Sequence, residues 1–165
     1  LFKGERRSVR HAGARFFVFC TVNFVDFSKI FLFIEAADSQ TYDKATAFAK
    51  CLSQNVRAAD AALREKIHLT GVLTSNFVNN MYATATEVLT DAALDFDVIA
   101  PIIAETAAKA IDSRNPSKVQ TGPAVRGDIQ TLERHRKLIG NNETLRKMYD
   151  IISENIWRIR ETSKR

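Results

Sequence analysis

The sequence predicts a mainly α-helical domain, a helical bundle around one long central helix, preceded by a small α/β segment. Apolar residues at 16–22 and 31–36 follow the pattern of buried strands, and a helix pattern follows at 41–53. From Asp60 onward the apolar residues repeat with helical spacing. The composition, 45% hydrophobic and 26% charged, is typical of a globular domain and excludes disordered and collagen-like classes.

The helix of the α/β segment is predicted from its start signal and its spacing. The turn at 38–40 leads into it, and its apolar positions repeat every three or four residues. These positions are Ala45, Phe48, Ala49 and Leu52. A short extended piece at 55–58 closes the segment.

The long helix begins after Asp60, a residue type that favours the N-cap position. Its pattern continues for about 30 residues, until the interruption at 91–95. A helix of this length usually runs through the centre of a bundle or across a dimer interface. Because apolar residues occupy most of its sides, we expect it to be largely buried.

Three further helices are predicted in the rest of the chain. The first covers 95–113 and contains Pro101, which is expected to kink it. Two breaker pairs, each containing a proline, make 114–127 a loop. The last two helices, at 128–139 and 142–162, are joined by a glycine and an asparagine.

The net charge of +5 comes mainly from the first fifteen residues, where Glu5 opposes five basic side chains. Those side chains are Lys3, Arg6, Arg7, Arg10 and Arg15. A basic-tailed nucleic-acid binder is one hypothesis, but a basic terminal segment is more typical of a solvated arm, so we expect no nucleic-acid partner. The apolar run that follows is short and is succeeded by charged residues, so no membrane segment is expected either.

Cysteines and histidines are too few and too scattered for a metal site. Cys20 and Cys51 have no metal-ligand spacing and no disulfide framework. The histidines His11, His68 and His135 lie far apart and form no ligand pattern. We therefore predict no metal ion and a reducing, cytoplasmic location.

Polar residues of the long helix share one line. At 100° per residue, Ser75, Asn79 and Thr86 fall within about 20° of His68, and Asn76 lies beside them. These side chains either hydrogen-bond to neighbouring helices or to backbone groups, or they line a cleft. In a cleft, His68 is the candidate catalytic acid and base, because its imidazole titrates near neutral pH. Ser75 and Asn79 would complete the catalytic set by orienting a carbonyl or hydroxyl group without adding charge.

The segment at 120–128 is the second candidate. It places two glycines, a proline, Arg126 and Asp128 directly before a helix. One interpretation is a structured turn in which Asp128 caps that helix. The other is a ligand loop, in which the Arg126 guanidinium anchors a carboxylate or phosphate. The candidate substrate-binding residues are Asn76, Thr121, Gly122, Pro123, Arg126 and Asp128.

Four stretches resemble one family of Rossmann-like, NADP-dependent oxidoreductases with a helical C-terminal domain of unknown function. They are VDFSKIFLFIEAADSQ (25–40), HLTGVLTSNFVNNMYA (68–83), DFDVIAPIIAETAAKA (95–110) and QTGPAVRGD (120–128). The family is similar in plan to pyrroline-5-carboxylate reductase and to the β-hydroxyacid and 6-phosphogluconate dehydrogenases. The resemblance extends over residues 25–165.

The resemblance implies three parts of the chain. Residues 1–24 are an atypical basic N-terminal segment, 25–59 are the end of a Rossmann-like α/β domain, and 60–165 are a helical substrate-binding and dimerisation domain. It also implies a homodimer that binds a small-molecule substrate in a cleft between the domains. The reaction would be hydride transfer to or from a small carbonyl, imine or hydroxyl compound.

Two departures from the family plan affect the chemistry and the cofactor. The related dehydrogenases carry a lysine and an asparagine one turn apart on the long helix, where this chain has Ser75 and Asn79. The sequence also has no Gly-x-Gly-x-x-Gly fingerprint. NADP is therefore expected to bind through an N-terminal domain outside this sequence, and this chain alone is expected to bind no cofactor. The alternative is a non-enzymatic helical dimerisation or interaction domain.

Overall fold

The computed structural model describes residues 26–163 in full and the backbone of two strands, Arg7–His11 and Ala14–Val18. It divides into two units, Leu1–Met81 and Tyr82–Arg165. The predicted strand at 16–22 coincides in part with the second of these strands, and its remainder lies outside the described residues.

The first unit contains a four-stranded sheet. Its strands lie in chain order: the second strand is antiparallel to both the first and the third, and the fourth is parallel to the third. They are β1 (Arg7–His11), β2 (Ala14–Val18), β3 (Leu32–Ala36) and β4 (Val56–Ala58). Helix α1 (Ser39–Lys50) connects β3 to β4. The predicted strand, helix and extended piece are confirmed.

One face of β3 and one face of α1 build the core of this unit. Leu32 and Ile34 alternate with more accessible residues along β3, as expected for a strand with one buried face. They pack with Ala45 and Ala49 of α1, whose small side chains let the helix approach the sheet closely. The Asp38 carboxylate caps α1 by accepting a hydrogen bond from the Thr41 N–H at 2.8 Å.

The long helix forms as predicted, with one interruption of its regular winding. It consists of α2 (Ala61–Gly71), a single π turn (Val72–Asn76) and α3 (Phe77–Asp91). Asp60 caps it by accepting from the Leu63 N–H at 2.8 Å. The expectation of a largely buried helix is wrong for the described chain, in which these three elements contain no buried residue. Its apolar side chains are instead part of the surface.

The second unit is entirely helical in its described residues. After the end of α3, a 3₁₀ turn (Phe96–Val98) precedes α4 (Ala100–Ser113), so the predicted helix at 95–113 begins five residues later than expected. The remaining α-helices are α5 (Pro123–Arg126), α6 (Ile129–Ile139) and α7 (Glu143–Thr162). Pro101 does not kink a helix, because α4 begins at Ala100 and a proline in the first turn displaces no hydrogen bond. The predicted loop 114–127 contains a 3₁₀ turn (Pro116–Val119) and the short α5.

Helices α6 and α7 are held together by polar contacts. The His135 Nδ1 lies 2.8 Å from the Tyr149 hydroxyl, and the Arg136 Nε donates to the Asp150 carboxylate at 2.7 Å. Partial burial raises the pKa of Tyr149 above its ordinary value. Gly140 joins the two helices with a φ of +61°, a conformation that favours glycine.

The predicted fold class, a mainly helical domain after a small α/β segment, is confirmed. In the part of the chain that the structure describes, no helix is long and apolar enough to cross a membrane. The same residues include no group of three or more His, Cys, Asp or Glu side chains that could hold a metal ion.

Candidate functional site

The π turn sits at the centre of the predicted polar constellation. The Phe77 N–H donates to the Val72 carbonyl, five residues earlier, so this turn holds about one residue more than an α-helical turn. Ser75 and Asn76 belong to the turn, and Asn79 follows it by one helical turn. Single π turns inside α-helices occur often at functional sites.

Ser75, Asn76 and Asn79 present unused polar groups to solvent. All three side chains are exposed. Within the part of the chain that the structure describes, none of them forms a hydrogen bond or an ion pair. The hydroxyls of Thr70 and Thr74, on the same helix, are instead engaged with the backbone carbonyls of Ile67 and Thr70, at 2.7 and 2.8 Å. Thr86, the far end of the predicted polar line, likewise donates its hydroxyl to the Tyr82 carbonyl at 2.9 Å.

The π turn moves His68 out of the predicted line. His68 precedes the turn and Asn79 follows it, so the extra residue rotates Asn79 by about 100° relative to His68. The two side chains are then about 80° apart around the helix instead of about 20°. The structure therefore brings Ser75, Asn76 and Asn79 together and places His68 to one side, exposed and in contact with another residue.

The opposite side of the helix carries an apolar stripe, defined here as Leu69, Leu73, Phe77 and Met81. These side chains are between 37% and 57% exposed. Ser75 and Asn79 are each two residues from Phe77 in the sequence. Two residues correspond to a rotation of about 200°, so both polar side chains lie on the side of the helix opposite Phe77. The helix thus has a polar face and an apolar face, both accessible in this chain.

The loop at 120–128 is a tight, glycine-dependent turn. Gly122 has a φ of +109° and Gly127 a φ of +70°, backbone conformations that residues with a Cβ rarely adopt. Between them Pro123 starts α5, and the Asp128 N–H donates to the Pro123 carbonyl at 3.0 Å. Thr121 and Arg126 are exposed at the two ends.

Asp128 caps α6. Its carboxylate accepts from the Thr131 N–H at 3.0 Å and from the Thr131 hydroxyl at 2.8 Å. These bonds, together with the positive charges of Arg126 and Arg134, hold the pKa of Asp128 below its ordinary value. The capping interpretation is therefore realised, and a role of Asp128 in substrate binding stays a prediction.

The N-termini of α1 and α2 do not fit the pyrophosphate of a dinucleotide. Pyrophosphate binds at a helix N-terminus through free backbone N–H groups and glycines. The β3–α1–β4 segment has the right topology, but Asp38 occupies the N-terminus of α1 with its own carboxylate. Asp60 does the same for α2. A carboxylate at that position repels a phosphate, so we derive no cofactor chemistry from these elements.

One residue of the loop's surroundings was not singled out from the sequence. Trp157 lies on α7, and its ring lies directly against Gly127. The two positions are far apart in the sequence, and no local signal connects them. A Gly at the end of a short helix indicates a turn but not what packs on it.

A parallel β–α–β segment is the unit from which Rossmann-type folds are built, and in this chain helices follow it. The particular family is shown directly, because the model of the domain of unknown function DUF2520 matches residues 30–156. The chain belongs to this family, and the predicted resemblance is confirmed. A search of curated proteins finds no match.

Two solved structures are similar to the chain. One is a putative NADP oxidoreductase from Bacteroides fragilis, with 38% identity, a TM-score of 0.74 and 81% of this chain covered. The other is protein TM1727 from Thermotoga maritima, with 22% identity, a TM-score of 0.73 and 84% covered, which shows the fold alone. The chain spans 51% of the first protein and 56% of the second, about half of each.

Proposed function

We propose that the chain is the substrate-binding and dimerisation domain of an NADP-dependent oxidoreductase. The whole protein would transfer a hydride to or from a small carbonyl, imine or hydroxyl compound, with NADP bound outside the residues described here. Ser75 and Asn79 would orient the substrate with help from Asn76, His68 would move a proton, and Arg126 would hold an anionic group. A reducing cytoplasm suits the exposed, unpaired thiol of Cys51.

The observation that carries the proposal is the exposed polar face at the π turn. Amide and hydroxyl groups on a rigid helix can align a neutral oxygen or nitrogen of a substrate, because their direction is fixed by the backbone. Ser75, Asn76 and Asn79 lie within one turn of each other and have unsatisfied donors and acceptors in the described chain. The family membership and the 38% identity to the Bacteroides fragilis protein support the reaction class.

The apolar stripe supports the dimerisation part of the proposal. A second copy of the chain is the occupant we propose, since a two-fold axis lets one stripe cover its own equivalent. Phe77 alone is 56% exposed, and large apolar side chains in a continuous row on a helix mark interaction surfaces.

Ligand-observed NMR tests the substrate-binding part on the chain itself. A panel of small ketones, aldehydes, cyclic imines and hydroxy acids is screened, and we expect one class to bind. Asn79→Ala and Ser75→Ala should each weaken that binding about tenfold, since each removes one hydrogen bond to the ligand. Thr74→Ala is the matched control, because its hydroxyl is bonded within the helix. Equal binding by Asn79→Ala, Ser75→Ala and the unaltered chain would reject the site.

A non-enzymatic dimerisation domain is the second candidate. It is favoured by the exposed apolar stripe, which needs a covering surface but no substrate. It predicts that the chain self-associates but that no compound in the panel binds at the polar face. The NMR screen therefore separates the two functions.

A further inference from the structure

Trp157 and Gly127 touch without an intervening side chain. A Cβ placed on Gly127 would lie 3.1 Å from the Trp157 Cζ3 and 3.4 Å from its Cη2. The first distance is shorter than an ordinary van der Waals contact, so the indole edge occupies the space where a side chain would begin. Glycine is thus favoured at this position for two reasons, its φ of +70° and the adjacent ring.

The turn at 120–128 rests on its neighbours through a few defined contacts. Ala124 is buried, Asp128 caps α6, and the Gly127 backbone lies against α7 through the Trp157 ring. Arg126 directly precedes Gly127, so the contact between Gly127 and the Trp157 ring adjoins the Arg126 backbone, while the Arg126 side chain is exposed. A shift of the ring would move the origin of the guanidinium with it.

The indole is itself held in place. The Arg160 guanidinium lies 4.8 Å from the centroid of the Trp157 ring, one turn further along α7. Indole is a large, rigid group with two rotatable bonds, which makes it well suited to fix a neighbouring backbone. Its remaining surface is 43% exposed, so the contact with the turn lies at the edge of the domain and not in a deep core.

We propose that Trp157 is a positioning residue: it fixes the turn that carries Arg126, and so sets the direction from which Arg126 meets the anionic group of a substrate. The inference rests on the proposed function, in which Arg126 binds an anion. Direction matters because a guanidinium binds a carboxylate or phosphate best through two parallel N–H bonds, and a small misplacement loses one of them.

The test combines hydrogen exchange with anion binding on the full chain. The Gly127 and Asp128 amides report the state of the turn, and calorimetric titration with succinate reports a carboxylate site. We expect Trp157→Ala to speed exchange of those two amides at least about tenfold, with the amides of α4 unchanged, because the effect is local. Succinate affinity should fall about fivefold or more in the same variant, since one of two N–H bonds is lost. Trp157→Phe, which keeps an aromatic ring, should recover most of both.

A second variant approaches the contact from the other side. Gly127→Ala places a methyl group against the ring and should shift the emission of Trp157, which is the single tryptophan of the chain. This readout stays informative if Trp157→Ala does not fold. An unchanged emission spectrum would contradict the contact itself. A parallel titration with inorganic phosphate distinguishes a carboxylate site from a phosphate site.

Arg126→Gln separates failure of the inference from failure of the proposed function. If this variant loses succinate affinity while Trp157→Ala retains it, Arg126 binds the anion but Trp157 does not position it, and the inference is overturned. If Arg126→Gln binds succinate as tightly as the unaltered chain, the anion-binding role of Arg126 fails, and the inference fails with it. If exchange at Gly127 and Asp128 is unchanged in Trp157→Ala, the inference is wrong whatever Arg126 does.

Discussion

At the scale of single residues, aspartates begin several helices of this chain. Asp38, Asp60 and Asp128 each accept a hydrogen bond from a backbone N–H three residues later. The sequence predicted this role for Asp60 and offered it as one interpretation for Asp128, because a cap depends on neighbours within four residues. For Asp38 it predicted only a turn that leads into the helix. Asp128 is the case of interest, since it also belongs to the candidate substrate loop.

Asp128 is expected to stabilise the fold mainly above about pH 4. The pKa of Asp128 is lower in the folded chain than in the unfolded chain, where it is about 3.9. The charge of Asp128 therefore adds to the free energy of unfolding above about pH 3.9, and this stabilisation is lost as the pH falls through the pKa of the folded chain. Asp128→Asn keeps a good capping group without the charge. Thermal unfolding should show a lower Tm for this variant at pH 7, and the difference should disappear towards pH 2.

Asp128→Ala provides the comparison for the hydrogen bonds alone. It lacks the acceptor at every pH, so it should remain less stable than Asp128→Asn throughout the range. A constant difference between the unaltered chain and Asp128→Asn from pH 7 to pH 2 would show that the charge of Asp128 plays no part.

The contact between Gly127 and Trp157 illustrates what the sequence could not predict. The glycine is identifiable as a turn residue, and Trp157 as an apolar helix position. Their meeting depends on how α5 and α7 pack, which no local pattern specifies. The members of the substrate loop could thus be named from the sequence, but the support behind them could not.

At the scale of elements, the π turn decides which residues of the long helix share a face. The helix itself was predictable from Asp60 and its apolar spacing, because both are local signals. The change of direction at the π turn was not predicted, because the prediction took a regular α-helix that turns by 100° at every residue. The π turn also aligns the apolar stripe. Leu69 and Met81 would lie about 120° apart around an ideal α-helix, but the extra residue reduces this angle to about 20°.

Removing one residue from the π turn should leave the stripe intact. Deletion of Thr74 lets the Phe77 N–H bond in the ordinary α-helical pattern, and because the extra residue is the one removed, Phe77 and Met81 keep their positions around the helix relative to Leu69. Insertion of one alanine after Thr74 should instead rotate Phe77 and Met81 by about 100° relative to Leu69. We expect the deletion variant to self-associate normally in sedimentation and the insertion variant to associate about tenfold or more weakly, with helical content by circular dichroism retained in both. Unchanged association of the insertion variant would show that the stripe is not the interface.

At the scale of the whole molecule, the described chain buries few large side chains. The first unit has a core around Leu32 and Ile34, whereas Ala124 and Leu132 are the hydrophobic residues buried in the described part of the second unit. Large apolar residues are exposed on several helices instead. The expectation of a buried central helix was wrong for this reason: apolar composition predicts that a surface will be covered, but not whether this chain or another covers it.

The stability of the chain should therefore depend on its concentration. If a second copy covers the apolar stripe, the apparent free energy of unfolding should rise by about 1.4 kcal/mol per mole of dimer for each tenfold increase in protein concentration. Differential scanning calorimetry over two decades of concentration measures this as a rising Tm. The double variant Phe77→Gln, Met81→Gln should have a Tm that is independent of concentration.

Leu138→Gln is the matched control for that experiment. Leu138 is 84% exposed on α6, away from the stripe in sequence, and its replacement should leave the concentration dependence intact. A concentration-independent Tm in the unaltered chain would contradict dimerisation through any surface.

The π turn also has a consequence for comparing relatives of different length. Leu69, Leu73, Phe77 and Met81 follow one another at a constant interval of four, a pattern that drifts steadily around a regular α-helix. A family member without the turn would have one residue fewer between positions 71 and 77, and its apolar interval would become four, three, four. That is the heptad pattern of an ordinary coiled-coil seam. Loss of one residue here, together with the π turn, would thus leave the apolar side chains on the same face of the helix.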